Sequence, residues 1–183
     1  MIHDRVEFHN VAELVTVDTV GGVRLQRVPE TIRTQLDEGT AGVMLSPANS
    51  EIRFRLAGDN DSATITLSSE AGATAFVYHG PFQGDAITLT KEPTDFVIQA
   101  SRRLPLLSAE QRAEFDYHPD LIRICFGADY PEPVTYHGNG GGVCPPQDGD
   151  TPDKVYIAYG SSITHGTNLS GAALSFPAHA AWK

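Results

Sequence analysis

The sequence predicts a mainly β fold: an antiparallel β-sandwich or jelly roll, followed by the opening strand, turn and helix of an α/β unit. Three observations carry that prediction. Short runs that alternate apolar and polar residues recur roughly every ten residues, as in sandwiches and barrels. Turn chemistry separates the runs, and a different pattern begins after a Gly/Pro-rich stretch at residues 138–153.

Val11–Val17 and Gly22–Val28 are the first two expected strands. Thr31–Leu36 has room for one or two helical turns that pair Ile32 with Leu36. Glu51-Ile52-Arg53-Phe54-Arg55-Leu56 alternates strictly, which predicts a strand buried on one face only, with the charged side chains on the other. Further strands are expected at Ala63–Leu67, Ala73–His79, Ala86–Thr90, Phe96–Ala100 and Leu121–Phe126. Between them stand Gly58-Asp59-Asn60-Asp61, Glu70-Ala71-Gly72, Gly80-Pro81 and Lys91-Glu92-Pro93, all turn-forming sequences. Ser108-Ala109-Glu110-Gln111 has the form of a capping box that opens a short helix. The expectation for residues 5–137 is therefore about seven to ten antiparallel strands in two packed sheets.

Residues 1–140 are read as the sandwich, 141–153 as a linker and 154–183 as the start of a second unit. Val155-Tyr156-Ile157-Ala158-Tyr159 is almost wholly apolar, as expected of a strand covered on both faces. Gly160-Ser161-Ser162 follows as a turn, and Ala172–Lys183 is expected to be a helix.

Composition excludes several functions. Lys and Arg total 13 against 23 Asp and Glu, a net charge of −10, so a phosphate backbone or an anionic membrane surface would be repelled. No run approaches the ~18 apolar residues of a membrane span, and the N-terminus lacks the pattern of a secretory signal, so the expected location is cytoplasmic. Cys125 and Cys144 are expected as free thiols rather than a disulfide framework. No compact His/Cys/Asp/Glu spacing points to a metal, and no cofactor is expected.

One segment has the pattern of a reactive site: Tyr159-Gly160-Ser161-Ser162-Ile163-Thr164-His165-Gly166. A serine hydroxyl needs a base before it attacks, and a position just past a buried strand would fix it while leaving it open to substrate. Gly160 permits a tight turn, and amides of that turn can face a developing oxyanion. Gly160-Ser161-Ser162-Ile163-Thr164, then Gly166, resembles the first block of the SGNH/GDSL hydrolases, with Ser161 where that family has aspartate. The resemblance implies Ser162 as nucleophile, its own N–H in the oxyanion hole, and a flavodoxin-like α/β domain. It also implies that the family's later blocks, with the Asp and His partners, would follow residue 183, so that these 183 residues alone would be inactive. A β-sandwich before the hydrolase domain occurs in a subset of that family, many acting on acylated carbohydrates.

The expected activity is thus carboxyl-ester hydrolysis, removing acetyl or another short acyl group from a carbohydrate or small ester. The alternative is a non-catalytic sandwich that binds a carbohydrate or a protein. A sugar-binding face needs aromatic platforms, and Tyr78, Tyr117, Tyr130 and Tyr136 are the candidates there, since Trp182 lies outside the sandwich. Self-association through the C-terminal strand is the expected route to an oligomer. His165 reads as a solvated loop residue next to the nucleophile, and His79 and His137 as edge residues able to face a sugar or an interface. Asp116-Tyr117-His118 has the wrong spacing for an acid–base block and is set aside.

Overall fold

A computed structural model of the chain describes residues 1–127, 132–154 and 158. Two antiparallel sheets face one another, and the expected β-sandwich is the observed architecture. The strands are β1 (Ile2–His3), β2 (Val6–His9), β3 (Glu13–Thr16), β4 (Val23–Gln26), β5 (Glu51–Leu56) and β6 (Ser62–Ser69). They continue with β7 (Ala73–His79), β8 (Phe82–Leu89), β9 (Thr94–Gln99), β10 (Ile122–Phe126), β11 (Val134–Asn139) and β12 (Val143–Cys144). The first sheet runs β1-β2-β5-β10-β7-β8, with β12 also on β5; the second runs β3-β4-β11-β6-β9.

The two-residue period of the strands decides which side chains meet in the middle. Phe8, Ile52, Phe54, Ile124 and Phe126 from the first sheet pack on Leu25, Ile65, Leu67, Ile98 and Val134 from the second, all buried. Tyr136 joins them, its ring edge-on to Phe8 at 5.2 Å between centroids.

Among the described residues three α-helices, α1 (Glu30–Arg33), α2 (Glu38–Val43) and α3 (Ala109–Ala113), and a 3-10 turn at Leu104–Leu106 connect the strands. The capping box expected at Ser108 is present, with Ser108 Oγ accepting from the Gln111 amide and the Gln111 side chain accepting from the Ser108 amide. Helix α2 was not expected, because Gly39 and Gly42 weaken it. Asp37 caps it by accepting from the Thr40 amide at 3.1 Å.

Strands also form beyond the expected set. The β1–β2 hairpin turns on Asp4 and Arg5, both at positive φ (48° and 63°) with no glycine in the turn. Long-range hydrogen bonds hold that turn: Tyr136 Oη and Asn139 Nδ2 each donate to the Asp4 carboxylate at 2.8 Å. The stretch read as a linker begins on the sandwich, since β12 pairs with Leu56 and Arg55 of β5 and Val143 is fully buried. Because β10 occupies the other edge of β5, β2 and β12 share one edge, one after the other.

One expectation is corrected outright. The charged face of β5 is not solvated: Arg53 is 5% exposed and Arg123, beside it on β10, is 4% exposed. The segment from Ala100 to Leu121, containing α3, crosses over this face as a strap. The burial is sustained because Glu51 lies between the two guanidiniums and neutralises them.

Candidate functional site

The strap is fixed from below by charge. Glu51 Oε2 accepts from Arg53 Nε at 2.6 Å and from Arg123 Nε at 2.9 Å, while Oε1 takes the Arg123 Nη2 donor. Arg123 Nη1 also donates to the Gly80 carbonyl at 3.1 Å. The Tyr117 ring, from the strap, lies 3.8 Å from Arg123 Cζ, which places a π face over a desolvated cation. Burial opposes ionisation of Glu51, yet the neighbouring guanidiniums of Arg123 and Arg53 hold its carboxyl far below the usual carboxylate range. Burial pushes the Cys125 thiol, on the same face, well up. Both oxygens of the Glu51 carboxylate are taken by arginine donors, so its charge holds the strap in place.

A second set of charges fastens the strap at its end. Arg55 Nη2 donates to Asp120 at 3.1 Å, and Nη1 reaches Gln147 at 3.0 Å and Asp150 at 3.3 Å. Arg112 donates to the other Asp120 oxygen at 3.0 Å, and the His118 amide donates to the Asp150 carbonyl. Between this lattice and the end of the sandwich lies a cavity of about 410 Å³. Its walls include His79, Asn60 and Gln147 as well as Leu104 and Ile122. Burial lowers the His79 pKa, with Asp85 opposing weakly, so the imidazole is neutral near pH 7. The cavity is a place to hold a small molecule; its described lining contains no hydrogen-bonded nucleophile, base and acid.

The site residues expected from sequence, Gly160, Ser161 and Ser162, lie outside the described residues, as does His165. So do four of the five positions of the expected strand 155–159, and the expected helix. Of the other named residues, His79 lines the cavity and His118 lies in the strap. His137 is hydrogen-bonded to Ser68, Oγ to Nε2, at 2.8 Å. That is a Ser–imidazole contact of catalytic length, but Ser68 is 4% exposed and no carboxylate pairs with His137 among the described residues. It joins β6 to β11 next to the register shift between Tyr136 and Gly138. Of the tyrosines considered as sugar platforms, Tyr78 and Tyr136 are buried and Tyr117 covers Arg123, while Tyr130 lies outside the described residues.

Sequence reasoning missed the buried ion cluster. A signal existed, because Ile122–Phe126 and Glu51–Leu56 each place arginine among apolar residues, and Arg53 and Arg123 prove to be direct register partners. Two arginines side by side require a carboxylate, and Glu51 supplies it.

Among the described residues no group of three or more His, Cys, Asp or Glu is placed to hold a metal ion. No helix among them is long and apolar enough to cross a membrane. No family model and no curated protein matches the chain. A solved structure, the salicylyl-acyltransferase SsfX3 from a tetracycline biosynthetic pathway, is similar in fold, with a TM-score of 0.58 at 12% identity. The match covers 92% of this chain and 46% of the acyltransferase, so the chain spans just under half of that protein's length.

These findings correct the resemblance to the SGNH/GDSL hydrolases. The structural likeness is to an acyltransferase, no family model supports the assignment, and no flavodoxin-like α/β unit is seen among the described residues. The resemblance rested on a few positions, and Gly-Ser-Ser followed by an apolar residue is also an ordinary way to cap a helix.

Proposed function

We propose that this chain supplies the β-sandwich and the nucleophile of a serine enzyme that transfers acyl groups. Such an enzyme would cleave or exchange carboxylic esters of a carbohydrate or another small alcohol. One observation carries the reading: nearly the whole chain matches the fold of an acyltransferase, and a Gly160-Ser161-Ser162 turn sequence follows the sandwich in the same chain. Ser162 Oγ attacks the ester carbonyl as a base takes its proton. The bond to the alcohol breaks, the alcohol leaves with that proton, and the acyl group rests on Ser162 until water or a second alcohol accepts it. The Ser68–His137 pair is not assigned as the base, because Ser68 is buried and no carboxylate pairs with His137 among the described residues.

A fluorophosphonate probe tests this. The protein is expected to take up one label, on the peptide bearing Ser162, and to turn over p-nitrophenyl acetate. Ser162→Ala is expected to abolish both. Labelling that survives Ser162→Ala, or falls on another residue, would overturn the proposal.

The non-catalytic alternative draws support from the cavity, which can hold a ligand without chemistry. It predicts no labelling of the protein or of its Ser162→Ala variant.

A further inference from the structure

We propose that the cavity beneath the strap is a binding site for a neutral small molecule with hydroxyl groups on one side and an aliphatic surface on the other, a cyclic diol or simple glycoside in chemical class. The inference rests on residues of the sandwich and strap and does not depend on Ser162.

Size comes first. A volume of about 410 Å³ falls within the range of small-molecule sites, roughly 300–1,000 Å³. Charge excludes ions. Arg55 is matched by Asp120 and Asp150, and Arg112 takes the second oxygen of Asp120, so the walls hold no unmatched charge for an ionic ligand.

The unspent hydrogen-bonding capacity then fixes the chemistry. Gln147 uses its carbonyl oxygen on Arg55, which leaves its amide N–H groups. Asn60 donates to the Ala57 carbonyl and keeps its own carbonyl oxygen. Ser101 Oγ accepts from the Arg103 and Leu104 amides and retains its hydroxyl proton. His79 makes no side-chain hydrogen bond to another described residue, and its neutral ring offers one donor and one acceptor. Donors and acceptors are interspersed, and a hydroxyl group, which does both, is their natural partner.

The rest of the lining selects the body of the ligand. Leu104, Pro105, Pro119 and Ile122 give aliphatic surface, and no Phe, Tyr or Trp lines the cavity among the described residues. A flat aromatic ligand would find no ring to stack on, whereas a puckered ring fits against prolines and branched carbons.

An NMR titration of backbone amides tests the proposal, with methyl glucoside and trans-cyclohexane diol as probes. Inorganic phosphate and cyclohexane carboxylate serve as anionic controls. At least one neutral probe is expected to give saturable shifts confined to residues 55–60, 79, 100–105, 119–122 and 144–147. Ala100→Trp, an exposed wall position, fills the cavity and should abolish the shifts without altering the fold. His79→Leu removes one hydrogen-bonding partner and should weaken binding roughly three- to tenfold. Three outcomes would overturn the proposal: no saturable shift with either neutral probe, shifts that persist in Ala100→Trp, or anionic controls that bind as tightly.

Discussion

Replacing Glu51 by glutamine changes almost nothing in volume and removes one negative charge from between two buried guanidiniums. In the native protein that carboxylate accepts from Arg53 at 2.6 Å and from Arg123 at 2.9 Å, with side chains 13% exposed for Glu51 and 5–6% for the arginines. Without it, Arg123 and Arg53 would be adjacent cations with Glu7, 3.8 Å from Arg53, as the remaining acidic neighbour among the described residues. Breaking a buried pair by removing one partner typically costs about 3–5 kcal/mol. At roughly 2–4 °C per kcal/mol for a chain of this size, Tm should fall by about 6–20 °C. Urea unfolding followed by circular dichroism gives the free energy directly, through a lower midpoint at unchanged slope. The acid limb supplies a second readout. The folded pKa of Glu51 lies below its unfolded value of about 4.3, so the unfolded chain binds the proton more readily. Its stabilisation is therefore complete above that pH and is lost as pH falls towards the folded pKa. Glu51→Gln should flatten the pH dependence of stability below about pH 4.5. A loss under about 1 kcal/mol, the value of an exposed pair, would refute the view that this cluster carries the strap.

Three further outcomes follow from local geometry. Glu30 accepts from Arg33 and Gln26, and its carboxyl should titrate at about 2 by side-chain NMR; an Arg33→Gln variant should move it back up. With a thiol reagent under native conditions Cys144, half-buried at the cavity wall, should react, while Cys125, fully enclosed with its thiol pKa raised, should react only on unfolding. Gly80 and Gly58 have nearly the same φ, +54° and +57°, but an added Cβ at Gly80 would lie 2.8 Å from the His118 carbonyl, whereas at Gly58 it meets nothing within 4 Å. Gly58→Ala should therefore cost only the left-handed strain of about 1–2 kcal/mol. Gly80→Ala should cost clearly more in the same urea assay, and equal losses would show that the strap does not press on that turn.

The parts of this fold that were legible in the sequence are those where local pattern and long-range packing agree. Ala73–His79 was delimited to the residue because its flanking turns and its side-chain period point the same way. The capping box at Ser108 was legible because its two hydrogen bonds close within four residues. The β1–β2 hairpin was not, since its turn residues take positive φ without glycine and are held there by Tyr136 and Asn139, some 130 positions away in sequence. Likewise the composition of 141–153 argued for a linker, and no local rule indicates that Val143 fills a hole in a core built from other strands.

The same distinction explains why the candidate site was hard to read. A nucleophile leaves a short local signature, and Gly160-Ser161-Ser162 was found for that reason, although a few matching positions did not carry a family. A cavity leaves none. Arg55, His79, Ser101, Asp120 and Gln147 come from a central strand, a strand end, two points of the strap and the stretch after β12. None is unusual where it stands in the sequence. What makes them a site is that Arg55 consumes the charge of two aspartates and one amide oxygen, and so leaves a set of neutral donors and acceptors facing one space. That property belongs to the hydrogen-bond ledger of the folded chain, and it can be recovered only by counting which polar atoms are already spent.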